Sequence, residues 1–200
     1  MTRKHSLTIL TASALALAAC ATTPSGTEVT RFHLGQPIAR STIALVPADA
    51  SQPFSLEYRT YADAVARELA AQNFVPVGND PSSAYVGTIA IEQVSRPGAR
   101  RGGFSIGLGG GSFGRGGGVG GGVTLPVGQS RPGEIRQTTL NLQIKRRSDG
   151  SIVWEGRATA EADGRNRAAE LPNAVPALAR ALLAGFPGPA GQTVRVKAGR

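Results

Sequence analysis

Apolar residues recur along this chain in two rhythms, one near every third or fourth position and one at every second. The first rhythm is clearest between Tyr58 and Phe74. There Tyr58, Tyr61, Ala62, Val65, Ala66 and Leu69 fall at i, i+3, i+4, i+7, i+8 and i+11, one stripe along an α-helix. Arg59, Asp63, Arg67 and Gln72 lie off that stripe. The helix is expected to end near Asn73, because Val75 precedes Pro76 and a residue before proline avoids the α region.

The second rhythm predicts strands. Val29 to Leu34 and Thr42 to Val46 are short apolar runs separated by Gly35, Pro37 and Ser41. Ala84 to Val94 alternates, with Tyr85, Gly87, Ile89 and Ile91 on one parity. Ile135 to Arg147 and Ile152 to Asp163 frame Ser148-Asp149-Gly150, and Asp-Gly supplies the positive φ that a tight hairpin turn requires. Leu140, Leu142 and Ile144 share a face of the first arm. Ile152, Trp154, Ala158 and Ala160 share a parity in the second, which puts Trp154 under a helix and leaves Glu155, Arg157 and Glu161 facing water.

Helical spacing returns in Leu171, Val175, Leu178 and Leu182, inside a segment from about Ala169 to Ala184. Two starts are open. With Asn173 as N-cap, Pro176 falls in the first turn, where its missing N–H costs nothing; a start near Ala168 makes Pro176 break a bond. Gly185 and Pro187 stop the helix. Gln192 to Lys197 carries alternating Val194 and Val196 and is expected to add an edge strand. The order predicts an α+β fold, a two-layer sandwich with a mostly antiparallel sheet, two amphipathic helices on one face and a glycine-rich hairpin or loop.

The amino terminus changes the picture of location. Arg3 and Lys4 precede an apolar run from Leu7 to Ala19, too short to span a bilayer as a mature helix and shaped as an export signal. Leu17-Ala18-Ala19-Cys20 resembles the lipobox of bacterial lipoproteins, in which the cysteine is acylated and the leader cut before it. Ala21 in place of Asp resembles the pattern sorted to the outer membrane of Gram-negative cells. The expected organisation is a signal peptide over 1–19, a lipidated tether over 20–28, and one α+β domain over 29–198 with a glycine-rich insert at 102–128. Two or three acyl chains anchor stably where one does not. Cys20 is the single cysteine, so no disulfide holds the fold and a hydrophobic core must.

The formal charge is +9, a balance that ordinarily suggests nucleic acid. An exported lipoprotein does not meet nucleic acid, which leaves an acidic envelope protein or anionic lipid, including lipopolysaccharide phosphates, as partners. Alternatively the arginines only solubilise the surface, since they are scattered and form runs only at Arg100-Arg101 and Lys145-Arg146-Arg147.

From Gly102 to Gly128 there are 14 glycines in 27 positions and no lysine, which excludes a Walker loop. Gly109, Gly111 and Gly114 match GxGxxG by spacing. The helix that a dinucleotide fingerprint needs cannot follow through Arg115-Gly-Gly-Gly-Val-Gly-Gly-Gly. Phe104, Ile106 and Leu108, and then Val123, Leu125 and Val127, share parities that allow a hairpin; a solvated loop is the alternative. Arg96, Arg100, Arg101, Arg115 and Arg131 flank or punctuate the tract and are the candidate contacts for an anionic surface or partner.

Other chemistry is sparse. His33 is the one histidine after leader cleavage, Ser41 and Ser51 carry no nucleophile elbow, and neither zinc nor iron has its usual set of ligands. No catalytic residue, metal or cofactor is expected, and the protein is read as a non-enzyme.

Together, the helix ending Gln72-Asn73-Phe74, the strand from Ala84 to Ile91, Asp149-Gly150-Ser151-Ile152-Val153-Trp154-Glu155-Gly156 and the close Gly185-Phe186-Pro187 resemble the bacterial lipoprotein family called domain of unknown function 4136. The resemblance implies an outer-membrane-associated lipoprotein with an α/β domain and brings no activity with it. Two roles follow: envelope structure or assembly through protein contacts, or a lipid- or lipopolysaccharide-binding carrier. A filled core favours the first and a large apolar pocket between helices and sheet the second.

Overall fold

The structure is a computed structural model and describes residues 26–49, 54–98 and 133–197. The leader, Cys20 and the glycine-rich insert lie outside the described residues. The strands are β1 (Thr27–Phe32), β2 (Thr42–Pro47), β3 (Val75–Pro76), β4 (Tyr85–Pro97), β5 (Glu134–Arg146), β6 (Ile152–Asp163) and β7 (Thr193–Val196). The helices are α1 (Leu56–Ala71) and α2 (Leu171–Leu183), the second preceded by a short 3-10 turn, Arg167–Ala169. The strands form one sheet in the order β3-β2-β4-β5-β6-β1-β7. It is a two-layer α+β sandwich, mostly antiparallel, with β2 parallel to β3 and β4. β1 begins at Thr27 rather than Val29, so the last residues assigned to the tether are part of the sheet.

α1 starts where Ser55 accepts a hydrogen bond from the Tyr58 N–H at 3.0 Å, satisfying one orphan donor of the first turn. It ends in a Schellman arrangement, with Phe74 N–H bonding the Leu69 carbonyl and Asn73 N–H that of Ala70. Asn73 takes the left-handed conformation, φ 67°, where asparagine substitutes for glycine at low cost. The turn drops Phe74 into the core.

α2 starts at Leu171, with Glu170 as N-cap. Asn173 is therefore not the cap, and its side-chain amide donates instead to the Arg167 carbonyl at 3.0 Å. Pro176 lies inside the helix and cannot offer an N–H to the Pro172 carbonyl, a defect that costs about 3 kcal/mol. Val175, Leu178 and Leu182 are completely buried, each contributing roughly 1.5–3 kcal/mol. Packing of the stripe therefore outweighs the broken bond.

The core lies between the helices and one face of the sheet. Tyr61, Val65 and Leu69 of α1 and Leu178, Leu182 and Leu183 of α2 meet Ile43, Leu45, Tyr85, Ile89, Leu140, Leu142, Ile144, Trp154 and Ala158. Trp154 runs over its strand so closely that a Cβ built on Gly156 would sit 2.3 Å from Trp154 Cη2 and 2.7 Å from Leu182 Cδ1. Its indole N–H donates to the Pro187 carbonyl at 3.1 Å, giving the buried ring its one polar partner. Ile152 departs from its expected parity. The register passes from Ile144 opposite Trp154 to Lys145 opposite Ile152, so Val153 is an extra residue, and this bulge leaves Ile152 46% exposed.

Candidate functional site

Among the described residues two surfaces are left uncovered: the sheet face opposite the helices and the strand edges. The bare face bears a shallow cleft of about 470 Å³ bordered by Phe32, Thr88, Asn141, Gln143, Glu155 and Arg157. Its polar side chains pair across the strands. Arg157 Nε donates to Asn141 Oδ1 at 2.9 Å, Gln143 Nε2 donates to Glu155, and the hydroxyls of Thr139 and Thr159 lie 3.1 Å apart. Such pairs stabilise a sheet by a few tenths to about 1 kcal/mol each, and they leave the groups committed to one another rather than to a reacting centre.

Three of the described arginines are spent in the same way. Arg31 shares the parity of Val29 and is 3% exposed. Its Nε donates to the Leu182 carbonyl at 2.9 Å, and one terminal nitrogen donates to Ala181 and Ala184 at 2.9 and 3.0 Å. These are the last carbonyls of α2, which lack partners within the helix and form the negative end of its dipole. Burial pushes the Arg31 pKa down, yet a guanidinium stays protonated. Arg40 repeats the arrangement on α1, donating to the Gln72 carbonyl at 2.8 Å and lying 5.1 and 4.6 Å from the ring centres of Phe74 and Phe186. Arg147 donates to the Ser83 carbonyl at 2.9 Å and the Asp80 carbonyl at 3.2 Å. None of these three roles was read from the sequence. The signal for Arg31 was a cation on the apolar parity of a strand.

Of the candidate contacts, Arg96 is described. It is exposed on the upper part of β4 and its guanidinium lies 2.6 Å from the Glu161 carboxylate. Arg100, Arg101, Arg115, Arg131 and the lipidation residue Cys20 lie outside the described residues. His33 accepts the Gly35 N–H on Nδ1 at 3.1 Å and bonds the Gly188 carbonyl through Nε2 at 2.9 Å, which assigns the Nε2–H tautomer and ties the ring into loop structure. Among the described residues no three His, Cys, Asp or Glu side chains gather in a way that could hold a metal ion. Nor is any described helix long and apolar enough to cross a membrane.

A third feature lies at the end of β2. β4 continues past it and borders a cleft of about 360 Å³ with Tyr58, Tyr61, Ile91 and Leu171 on its walls. Burial in this region raises the pKa of Tyr58 and Tyr61, and the Glu57 carboxylate that accepts the Tyr61 hydroxyl at 2.9 Å adds to the second shift. Both phenols therefore stay protonated at neutral pH.

Among the described residues, the seven-stranded sheet with two helices on one face forms an α+β domain. Residues 30–188 fit the family model for the domain of unknown function DUF4136, and the chain belongs to that family. An uncharacterized protein of Zymomonas mobilis is 30% identical over 212 residues, covering 85% of this chain and 80% of the relative. Among solved structures, a PelC dodecamer from Paraburkholderia phytofirmans is similar with a TM-score of 0.43 and 14% identity, over 78% of this chain and 94% of that one. A minor lipoprotein from Acinetobacter baumannii is similar with a TM-score of 0.33 and 14% identity, over 72% and 86%.

Proposed function

We infer that the protein is an envelope lipoprotein, held by acylated Cys20 at the periplasmic face of the outer membrane, that works through protein contacts without catalysing a reaction or carrying lipid. The observation that carries this reading is the filled space between the layers around Trp154; the cleft beside Tyr58 opens at the rim of the layers and has Asp49, Glu57 and Glu92 in its lining. Trp154, Leu140, Leu142, Ile144, Leu178 and Leu182 are all within 1% of complete burial, where a carrier would keep an apolar cavity for its ligand. The lipobox supports the anchor. The bonds of Arg31, Arg40 and Arg147 to the chain's own carbonyls take these three arginines out of any anionic-lipid surface. Mass spectrometry of the membrane fraction tests the anchor: the expected N-terminal peptide begins at a diacylated or triacylated Cys20, and Cys20→Ser releases the protein from membranes. Phospholipid or lipopolysaccharide extracted in stoichiometric amount from purified Cys20→Ser protein would establish the carrier role instead.

A further inference from the structure

β2 accompanies β4 only from Tyr85 to Ile89, and the last main-chain bond along that side runs from the Ala48 N–H to the Ile89 carbonyl at 2.9 Å. Alternate residues of a strand turn their N–H and C=O to opposite sides. Because Ile89 faces β2, the main-chain groups of Ile91, Gln93 and Ser95 face the same way, beyond the end of β2. The other side of β4 stays paired with β5 as far as Pro97 opposite Glu134. Among the described residues no strand runs along this edge from Ile91 to Pro97. The side chains from Glu92 to Arg96 are exposed, with Val94 60% open. An open edge of this length is a template for another strand.

The edge reads Glu92-Gln93-Val94-Ser95-Arg96, which is complementary to itself. Laid antiparallel on a second copy with Val94 opposite Val94, each Glu92 stands opposite the other strand's Arg96, and Gln93 and Ser95 face one another with their main-chain N–H and C=O groups turned to the partner. Other registers lose this match. Centred on Glu92 or Arg96, like charges meet; centred on Gln93 or Ser95, a charge meets Val94. On the helix side, Pro97 of the copy comes opposite Ile91 at the rim of the cleft beside Tyr58. Having no N–H, Pro97 ends the ladder without leaving a donor unpaired. Arg96 is held by Glu161, but that pair is exposed and weak, so the guanidinium is free to be shared with an incoming carboxylate.

We propose that β4 pairs with β4 of a second copy about a two-fold axis at Val94, joining two sheets into one. This names the partner for the assembly role inferred above and depends on that role only for the compartment. A self-complementary patch closes into a dimer rather than a filament.

The test uses the full-length chain in cell envelopes. Cys20 is its one native cysteine, so Val94→Cys adds a single further thiol. Directly opposed residues in a non-hydrogen-bonded pair sit about 4.5 Å apart at Cα, within disulfide reach. Mild oxidation is expected to convert most of Val94→Cys into a covalent dimer. Thr88→Cys, on the same face but alongside β2, stays monomeric. In the Val94→Cys background, Glu92→Arg or Arg96→Glu alone lowers the dimer yield about tenfold, and the two together restore it. Thermal melting of each variant stays close to the parent value, since the Arg96–Glu161 pair that Arg96→Glu breaks is exposed, and this separates lost pairing from lost folding. Equal crosslinking at Val94 and Thr88, failure of the double reversal to restore the dimer, or capture of a different protein at Val94 overturns the proposal. An unacylated Cys20 removes the envelope reading and leaves the β4 contact to be judged on the same variants after purification.

Discussion

The lower and upper halves of the central hairpins are built from the same strands and differ in what covers them. In the lower half, Tyr85, Ile89, Leu142, Ile144, Trp154 and Ala158 lie on one face and are sealed by α1 and α2. Farther up, that face continues through Gln93, Ser95, Arg136 and Glu134. Gln93 donates to Thr138 and to the Ala169 carbonyl, both at 2.9 Å, which marks the limit of the helical cover. Beyond it, ladder bonds and contacts such as Ser95 to Glu134 at 2.5 Å hold the strands. Strand length is thus set by main-chain pairing, whereas stability is concentrated where apolar area is removed from water. Among the described residues, no helix covers the upper half.

That contrast can be broken most sharply at Trp154. Replacement by alanine is expected to cost about 3–5 kcal/mol, read as a lower urea midpoint. Arg31→Met comes next: the carbonyls of Ala181, Leu182 and Ala184 lose a buried donor, with an expected loss of about 1–3 kcal/mol in the same denaturation measurement. In the upper half Arg96→Ala removes an exposed pair with Glu161 and is expected to change stability by under about 0.5 kcal/mol. A loss comparable to that of Trp154→Ala would erase the distinction between the halves.

The smallest effect lies at the hairpin turn. Bonds from Ser151, and then from Arg146, to the Asp149 carboxylate lower its pKa from 3.8 to about 2. A carboxylate depressed in the folded state contributes stability above its ordinary pKa and loses it as pH falls through the folded value. NMR titration should place the Asp149 midpoint near 2, and Ser151→Ala should raise it. The contribution should fade between about pH 4 and pH 2.

Much of this architecture was legible in the order of residues. The Tyr58-to-Leu69 stripe, the Asp149-Gly150 turn and the alternation of β4, β5 and β6 each report a local period that burial of one face imposes. The site was less legible. β3 is two residues long and exists through its pairing with β2, and Arg31 gains its meaning from α2, some 150 residues away in sequence. The open edge of β4 depends on where β2 stops, which no feature of β4 announces.

Local chemistry therefore settles which segments are helix and which are strand, where α1 begins and where the β5–β6 hairpin turns, because propensity, capping and turn geometry act over a few residues. The parallel placement of β2 beside β4, the insertion of β1 between β6 and β7, the survival of α2 through Pro176 and the bulge at Val153 were decided only in the packed chain. Each depends on apolar area and main-chain bonds shared between segments far apart in sequence, and those free energies outweigh local preference when the layers close.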